Sequence, residues 1–203
     1  MPRPLVPNRR DRVLDAAEQL VLDRGFDAMS VASIAASAGI GKGAVYLEFP
    51  AKHDILDALL QRGTARLRER VRSEIGNRPR LGDAYRASAR ALIEDPLMTA
   101  AFLDDRGVLG RHVVEVRDGR YRERHQGVVA WLRDLQDHDR IDPEVDAEAL
   151  ALALSSATIG LLSAARLLGP LSAAQLEGAI DALGRMAASF ETASFATASS
   201  ETD

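Results

Sequence analysis

Between Ser30 and Pro50 the chain is punctuated so closely that little except two short helices and a tight turn will fit. Ser30 is a residue type that caps helix starts. A short helix from Val31 to about Ser37 then carries Ile34 and Ala35 inward, and Gly39 supplies a position that tolerates positive φ. A second short helix begins at Gly41 or Lys42 and runs to about Glu48. It stops there because Phe49 precedes Pro50 and is pushed out of helical geometry. Two short helices packed steeply through a turn need a small residue at the crossing, a glycine in the turn and an apolar plug on the second helix. Ala35, Gly39 and Val45 hold those three places, with Ile34 and Ile40 beside them and Ala17 and Leu20 supplying the third wall. Residues 31–49 therefore read as a helix-turn-helix.

The remainder of the 203 residues is helical in character. Aromatics are scarce at 4%, apolar residues make up 46% and charged residues 28%, which suits an all-α protein. Asn8 is placed to cap a first helix carrying Val13, Leu14, Ala17, Leu20 and Val21, and Gly25 ends it. A long helix follows from Ala51 to the break at Gly76 through Pro79. Further helices are expected over about 82–95, 97–104, 111–138, 143–168 and 172–192. The expected organisation is a flexible arm at 1–8, a three-helix helix-turn-helix domain at 9–60, a larger helical effector-binding and dimerisation domain at 61–191, and a disordered Ala/Ser/Thr-rich tail at 192–203.

Several chemistries are excluded or disfavoured. The absence of cysteine removes disulfides, thiolate metal sites and a Cys nucleophile. Histidines 53, 112, 125 and 138 form no i,i+4 pair, and the acids 134, 137, 139 and 142 lack the glycine and terminal glutamate of a calcium loop. The run Gly39-Ile40-Gly41-Lys42-Gly43 resembles a phosphate loop superficially. That loop needs glycine where Ala36 stands, Ser or Thr where Gly43 stands, and a strand leading in. Nothing resembles a catalytic triad, so neither an enzyme nor a cofactor or metal site is expected. The segment 149–165 is apolar but short for a membrane span and holds Ser155, Ser156, Thr158 and Ser163, so it reads as a buried helix. No apolar leader follows Met1, and a cytoplasmic bacterial location without membrane association is expected.

Charge alone does not point to nucleic acid. The net charge is −4, and residues 1–60 are nearly neutral. Arg62, Arg66 and Arg70 recur at i,i+4, the spacing of a solvated helix face. The two lysines of the chain, Lys42 and Lys52, both fall in or beside the helix-turn-helix.

The run IAASAGIGKGAVYLEFPAKHDIL, with RVLDAAEQLVLDRGF before it, resembles the amino-terminal domain of the TetR/AcrR family of bacterial transcriptional regulators. The matching features are Ala16-Ala17, Gly25-Phe26, Ile34-Ala35, Ala38-Gly39, Tyr46, Phe49 and Lys52, and they cover residues 9–60. The resemblance implies that the helix around 42–48 enters the major groove of double-stranded DNA, with Lys42, Gly43 and Ala44 near bases. It implies phosphate contacts from Tyr46 and Lys52, and backbone contacts from Ser30 and Ser33. Tyr46 could instead be junction core, and Arg9 and Arg10 either touch phosphate or the minor groove or form a solubilising tail. Three positions depart from the pattern. Gly41 stands where Ser or Thr often caps the recognition helix, Ala51 where Ser or Asn caps the next, and Glu48 would repel phosphate unless it points away or pairs.

A helix-turn-helix makes few base contacts, so two copies on a near-palindromic operator are expected. A small-residue stripe with Ala153, Ala157, Gly160 and Ala164, and the periodic Leu176, Ile180 and Leu183, are the candidate homodimer interface. Leu92, Met98, Phe102, Val113, Val116, Tyr121 and Trp131 are candidates for lining a pocket for an unknown small-molecule effector, although residues of this kind are more often core than pocket. The expected function is a repressor released from DNA by ligand. An activator, or a ligand-independent architectural DNA-binding protein, is the alternative.

Overall fold

The computed structural model describes residues 8–76, 79–103, 105–110, 120–169 and 171–192. Its elements are α1 Arg9–Arg24, α2 Val31–Ala38, α3 Lys42–Glu48, α4 Lys52–Ile75, α5 Leu81–Ile93, α6 Pro96–Phe102, α7 Arg106–Leu109, α8 Arg120–Asp137, α9 Ala147–Leu167 and α10 Ala173–Ala188. Among the described residues there is no strand, only an antiparallel bridge between Ile141 and Glu191.

The chain packs as two compact units, Met1–Arg66 with Asp95–Arg117, and Leu67–Glu94 with Asp118–Asp203. A single cut at 60/61 does not describe this, because α6 and α7 pack with the amino-terminal helices. The reason lies in the first unit's core, where Leu97, Ala101 and Leu109 join Val13, Val21, Phe26, Ile34, Val45, Ile55, Leu56 and Leu59. Phe26 N–H donates to the Val108 carbonyl at 2.8 Å, so the α1–α2 connection is hydrogen-bonded to α7. The turn α7 itself falls in a segment expected to be a break. Asp105 caps it by accepting from Gly107 N–H, and Gly110 ends it at φ 65°.

Charged pairs reinforce this unit. Arg62 donates to Asp15 and Glu18, both at 2.6 Å, and Arg66 donates to Glu18 at 2.9 Å. Arg66 also gives two bonds to Oδ2 of the buried Asp95, whose other oxygen caps α6 at Met98 N–H. Burial alone would raise the Glu18 carboxyl, but Arg66 and Arg62 together bring it below its ordinary value. In the second unit Arg70 pairs with Glu94. The i,i+4 arginines are therefore ion-pairing residues rather than a merely solvated face, because each reaches a carboxylate on another helix.

In the second unit α5 and α10 approach closely at two glycines. A Cβ on Gly82 would stand 2.7 Å from the Gly184 carbonyl oxygen. The core there is Leu81, Tyr85, Val129, Leu132, Leu135, Ile141, Leu150, Leu161 and Ile180. Asp146 caps α9 through Glu148 and Ala149 N–H, so the helix begins at Ala147, four residues after the expected start at Pro143. By length and composition α9 is one described helix apolar enough to cross a membrane. It is not buried all round as expected from the sequence. Leu150, Ala151, Leu161 and Leu162 face the core, while Leu152, Ala153, Ile159, Gly160 and Leu167 are exposed.

Candidate nucleic-acid interface

The junction is built as its sequence demands. Ser30 and Ser33 form a reciprocal capping box at the start of α2, and Gly39 turns the chain at φ 64°. Arg12 closes the other end of α2 by donating to the Ala38 carbonyl at 2.6 Å. Ile34, Ala35 and Val45 are buried where α2 meets α3, Ala17 is buried on α1, and Leu20 and Ile40 pack against the same core. Asn8 departs from expectation. It adopts a left-handed conformation, φ 56°, and makes no side-chain cap. Asn tolerates that geometry, but it takes the side chain away from the first-turn amides.

With Val45 inward, the rest of α3 turns outward. Lys42 and Gly43 are exposed, Ala44 is half-buried, and Tyr46 is 52% exposed, so Tyr46 is not junction core. No Cβ built at Gly41 or Gly43 would meet another atom within 4 Å. The backbone of this face is bare, and a large flat or grooved partner can approach it. Ser30 is exposed, but its hydroxyl and that of Ser33 already serve the capping box.

The departures are compensated locally. Ala51 cannot cap α4 with its side chain, yet its N–H donates to Asp54 Oδ2 at 2.8 Å, which supplies half of a capping box from the opposite partner. Gly41 starts α3 without a side-chain cap, a change that costs only a few tenths of a kcal/mol relative to Ser or Thr. Glu48 is paired: Arg9 Nη2 lies 3.1 Å from its Oε1. Arg10 sits over the Phe49 ring at 4.4 Å and reaches the Glu48 carbonyl at 3.5 Å. Arg9 and Arg10 thus fold back on the end of α3 and are not a loose solubilising tail. Both members of the Arg9–Glu48 pair are about one-fifth exposed, so a coupling of about 0.5–1 kcal/mol is expected. A double-mutant cycle with Arg9→Ala and Glu48→Gln in urea should find it and see it shrink with salt. Strict additivity would show that the pair contributes nothing.

Lys52, the first residue of α4, is held in place beside this face. Its ammonium lies 4.3 Å from the Phe26 ring centroid and donates to the Asp27 carbonyl at 3.3 Å. Partial burial draws its pKa below the usual lysine value, while the Asp27 charge opposes that shift. The exposed face of α3 also includes Leu47, 77% exposed, which is not among the residues expected from the sequence. Its spacing of two from Val45 was the available signal.

The other candidate residues are dispersed. Met98 packs against the first unit's core with its sulfur where a Gly63 Cβ would stand, and Trp131 packs against the second unit's core. Leu92 is buried and Phe102 half-buried. Val113, Val116 and the side chain of Tyr121 lie outside the described residues, as do residues 1–7 and 193–203 of the expected arm and tail. Two surface concavities among the described residues contain none of the candidates. The larger, about 320 Å³, is lined by Glu74, Ile75, Pro79, Arg80, Asp83, Arg86 and Arg90. On the expected dimer face Ala153 and Gly160 are exposed and Ala157 and Ala164 half-buried. The α10 choices need correction. Ile180 is 1% exposed within its own unit, and Leu176 and Leu183 pack against that core. The outward residues include Gln175, Gly178, Ala182 and Met186, because the periodic apolar stripe faces the chain's own α5. Among the described residues no cluster of three or more His, Asp or Glu suits a metal ion.

Residues 13–59 match the family model for bacterial regulatory proteins of the tetR family. The transcriptional repressor KstR of Rhodococcus jostii is 33% identical over 95 residues, 46% of this chain and 45% of KstR. The transcriptional activator FasR of Mycolicibacterium smegmatis is 36% identical over 83 residues, 39% of this chain and 38% of FasR. The matched segment spans less than half the length of either relative. The fold likeness extends further. A TetR-family regulator structure from Rhodococcus sp. has a TM-score of 0.69 at 20% identity, covering 89% of this chain and 97% of that one. The helix-turn-helix built on Ala35, Gly39 and Val45 lies within the residues that match the tetR-family model, so over residues 13–59 the chain is similar to bacterial regulatory proteins of that family.

Proposed function

We propose that this protein is a sequence-specific DNA-binding transcriptional regulator, acting as a homodimeric repressor that leaves a near-palindromic operator when a small molecule binds. The observation that carries the reading is the outward face of α3, where Lys42, Gly43 and Tyr46 stand clear of the domain beside the anchored Lys52. Lys42 contacts a base edge, Gly43 and Ala44 lie close to the groove floor, and Gly41 lets the backbone approach. Tyr46, Lys52, Ser30 and Ser33 hold phosphates, Lys52 aided by the positive end of the 24-residue α4. The homodimer reading is supported by the outward apolar face of α9, including Leu152, Ala153, Ile159 and Gly160, which a second copy would cover by two-fold symmetry. The ligand acts by binding better to the conformer that cannot hold DNA, in the helical domain the family resemblance assigns to effectors.

The relative FasR is an activator, and this favours a second reading in which bound protein raises transcription. Selection of bound duplexes from a random-sequence pool tests the common core of both. A two-fold symmetric consensus with half-sites about one helical turn, or a multiple of it, apart is expected. No enrichment over the starting pool would defeat the reading. A reporter carrying the recovered site then gives the sign of regulation.

A further inference from the structure

The outward ridge of α3 is a glycine and a leucine one turn apart. Val45, fully buried, sets the inward direction of this helix. At about 100° per residue, Gly43 and Leu47 each lie about 160° from it, while Ala44 and Tyr46 flank them at about 100°. The ridge is low at Gly43, where a Cβ would meet nothing, and high at Leu47, which is 77% exposed. The charged neighbour that would compete for the same groove, Glu48, is engaged by Arg9.

Resting on the reading of α3 as the helix that enters the major groove, we propose that Leu47 reads thymine by packing on its C5-methyl group. Leucine offers neither donor nor acceptor. The major-groove edges of guanine, cytosine and adenine present only hydrogen-bonding groups, and thymine alone adds a methyl. Pressing Leu47 onto a G·C edge would strip water from polar atoms and return no hydrogen bond. Over thymine the same side chain buries one methyl group and part of its own exposed surface. Leu47 therefore selects an A·T pair at one fixed position of each half-site, and Lys42 on the preceding turn of α3 reads a different pair.

The test uses the whole chain and the tightest duplex recovered from the random pool. Each thymine is replaced in turn by deoxyuridine, which deletes only the methyl group. One thymine per half-site should weaken binding about fourfold when replaced. The Leu47→Ala variant, whose exposed side chain leaves the core intact, should bind thymine and uracil equally there. If no replacement matters, or if Leu47→Ala keeps the full thymine preference, the proposal fails. Tyr46→Ala and Lys52→Ala are measured alongside. Should they weaken binding while the uracil effect is missing, the interface stands and the role of Leu47 falls alone. Should neither they nor uracil matter, the interface falls with it.

Discussion

Lys52→Ala should weaken binding to every duplex by a similar factor, whereas Lys42→Ala should weaken the preferred duplex most and bring it towards the others. The difference follows from what each ammonium faces. Lys52 is held over Phe26 and against the Asp27 carbonyl at the rim of α3, so its charge is already localised before DNA arrives. Without that ammonium one phosphate per half-site keeps its counterions, and the slope of log affinity against log salt should fall by about 0.9 for each such phosphate, about two for a dimer. Tyr46→Ala should also weaken all sequences alike, through a neutral hydrogen bond to phosphate. Lys42 is exposed on the first turn of α3 and can serve guanine in the major groove. Its removal should cost about 1–3 kcal/mol per half-site on the preferred sequence and much less on a mismatched one. Titrations of both duplexes at several salt concentrations separate the two patterns. If all three variants bind as the parent does, α3 is not the reading helix.

How much of this was legible beforehand depended on whether the cause was local. Ser30, Gly39, Val45 and Phe49 act within a few residues of themselves, through a cap, a positive φ, a plug and a pre-proline bend, and each sits where the sequence places it. Asn8 differs from its expected capping role because a capping residue type does not reveal its own backbone conformation, which here is left-handed. The arginines of α4 were read as a solvated face because i,i+4 spacing shows only that they share one side. It does not show that Asp15, Glu18 and Asp95 lie opposite. The stripe on α10 illustrates a different ambiguity. Leu176, Ile180 and Leu183 recur correctly for a helix, but period alone cannot say whether the apolar side meets the chain's own α5 or a second copy. Leu47 shows the converse, since an apolar side chain on a short helix gives no sign by its type that it points outward.

The glycine at the end of α1 should be among the least replaceable residues of the first unit, although its local sequence reads simply as a helix stop. Gly25 adopts φ 78° and ψ 159°, a region essentially closed to residues with a side chain, and that strain costs about 1–3 kcal/mol. A Cβ there would also overlap the Gly107 carbonyl oxygen, which is backbone and cannot rotate away. The neighbouring hydrogen bond from Phe26 N–H to Val108 would have to lengthen, adding about 1–3 kcal/mol of overpacking. Gly25→Ala should therefore lose about 2–6 kcal/mol, a large share of the 5–15 kcal/mol typical of a domain. Gly43→Ala is the informative contrast. It lies in the first turn of α3 with open space around it, so alanine should stabilise the fold by about 0.4–1 kcal/mol, chiefly by restricting the unfolded chain, while its methyl obstructs approach to DNA. Urea melts of the two variants should thus shift in opposite directions. A Gly25→Ala midpoint within the scatter of ordinary surface substitutions would mean that α7 does not press on the α1–α2 connection, and the grouping of residues 95–110 with the amino-terminal helices would lose its physical basis.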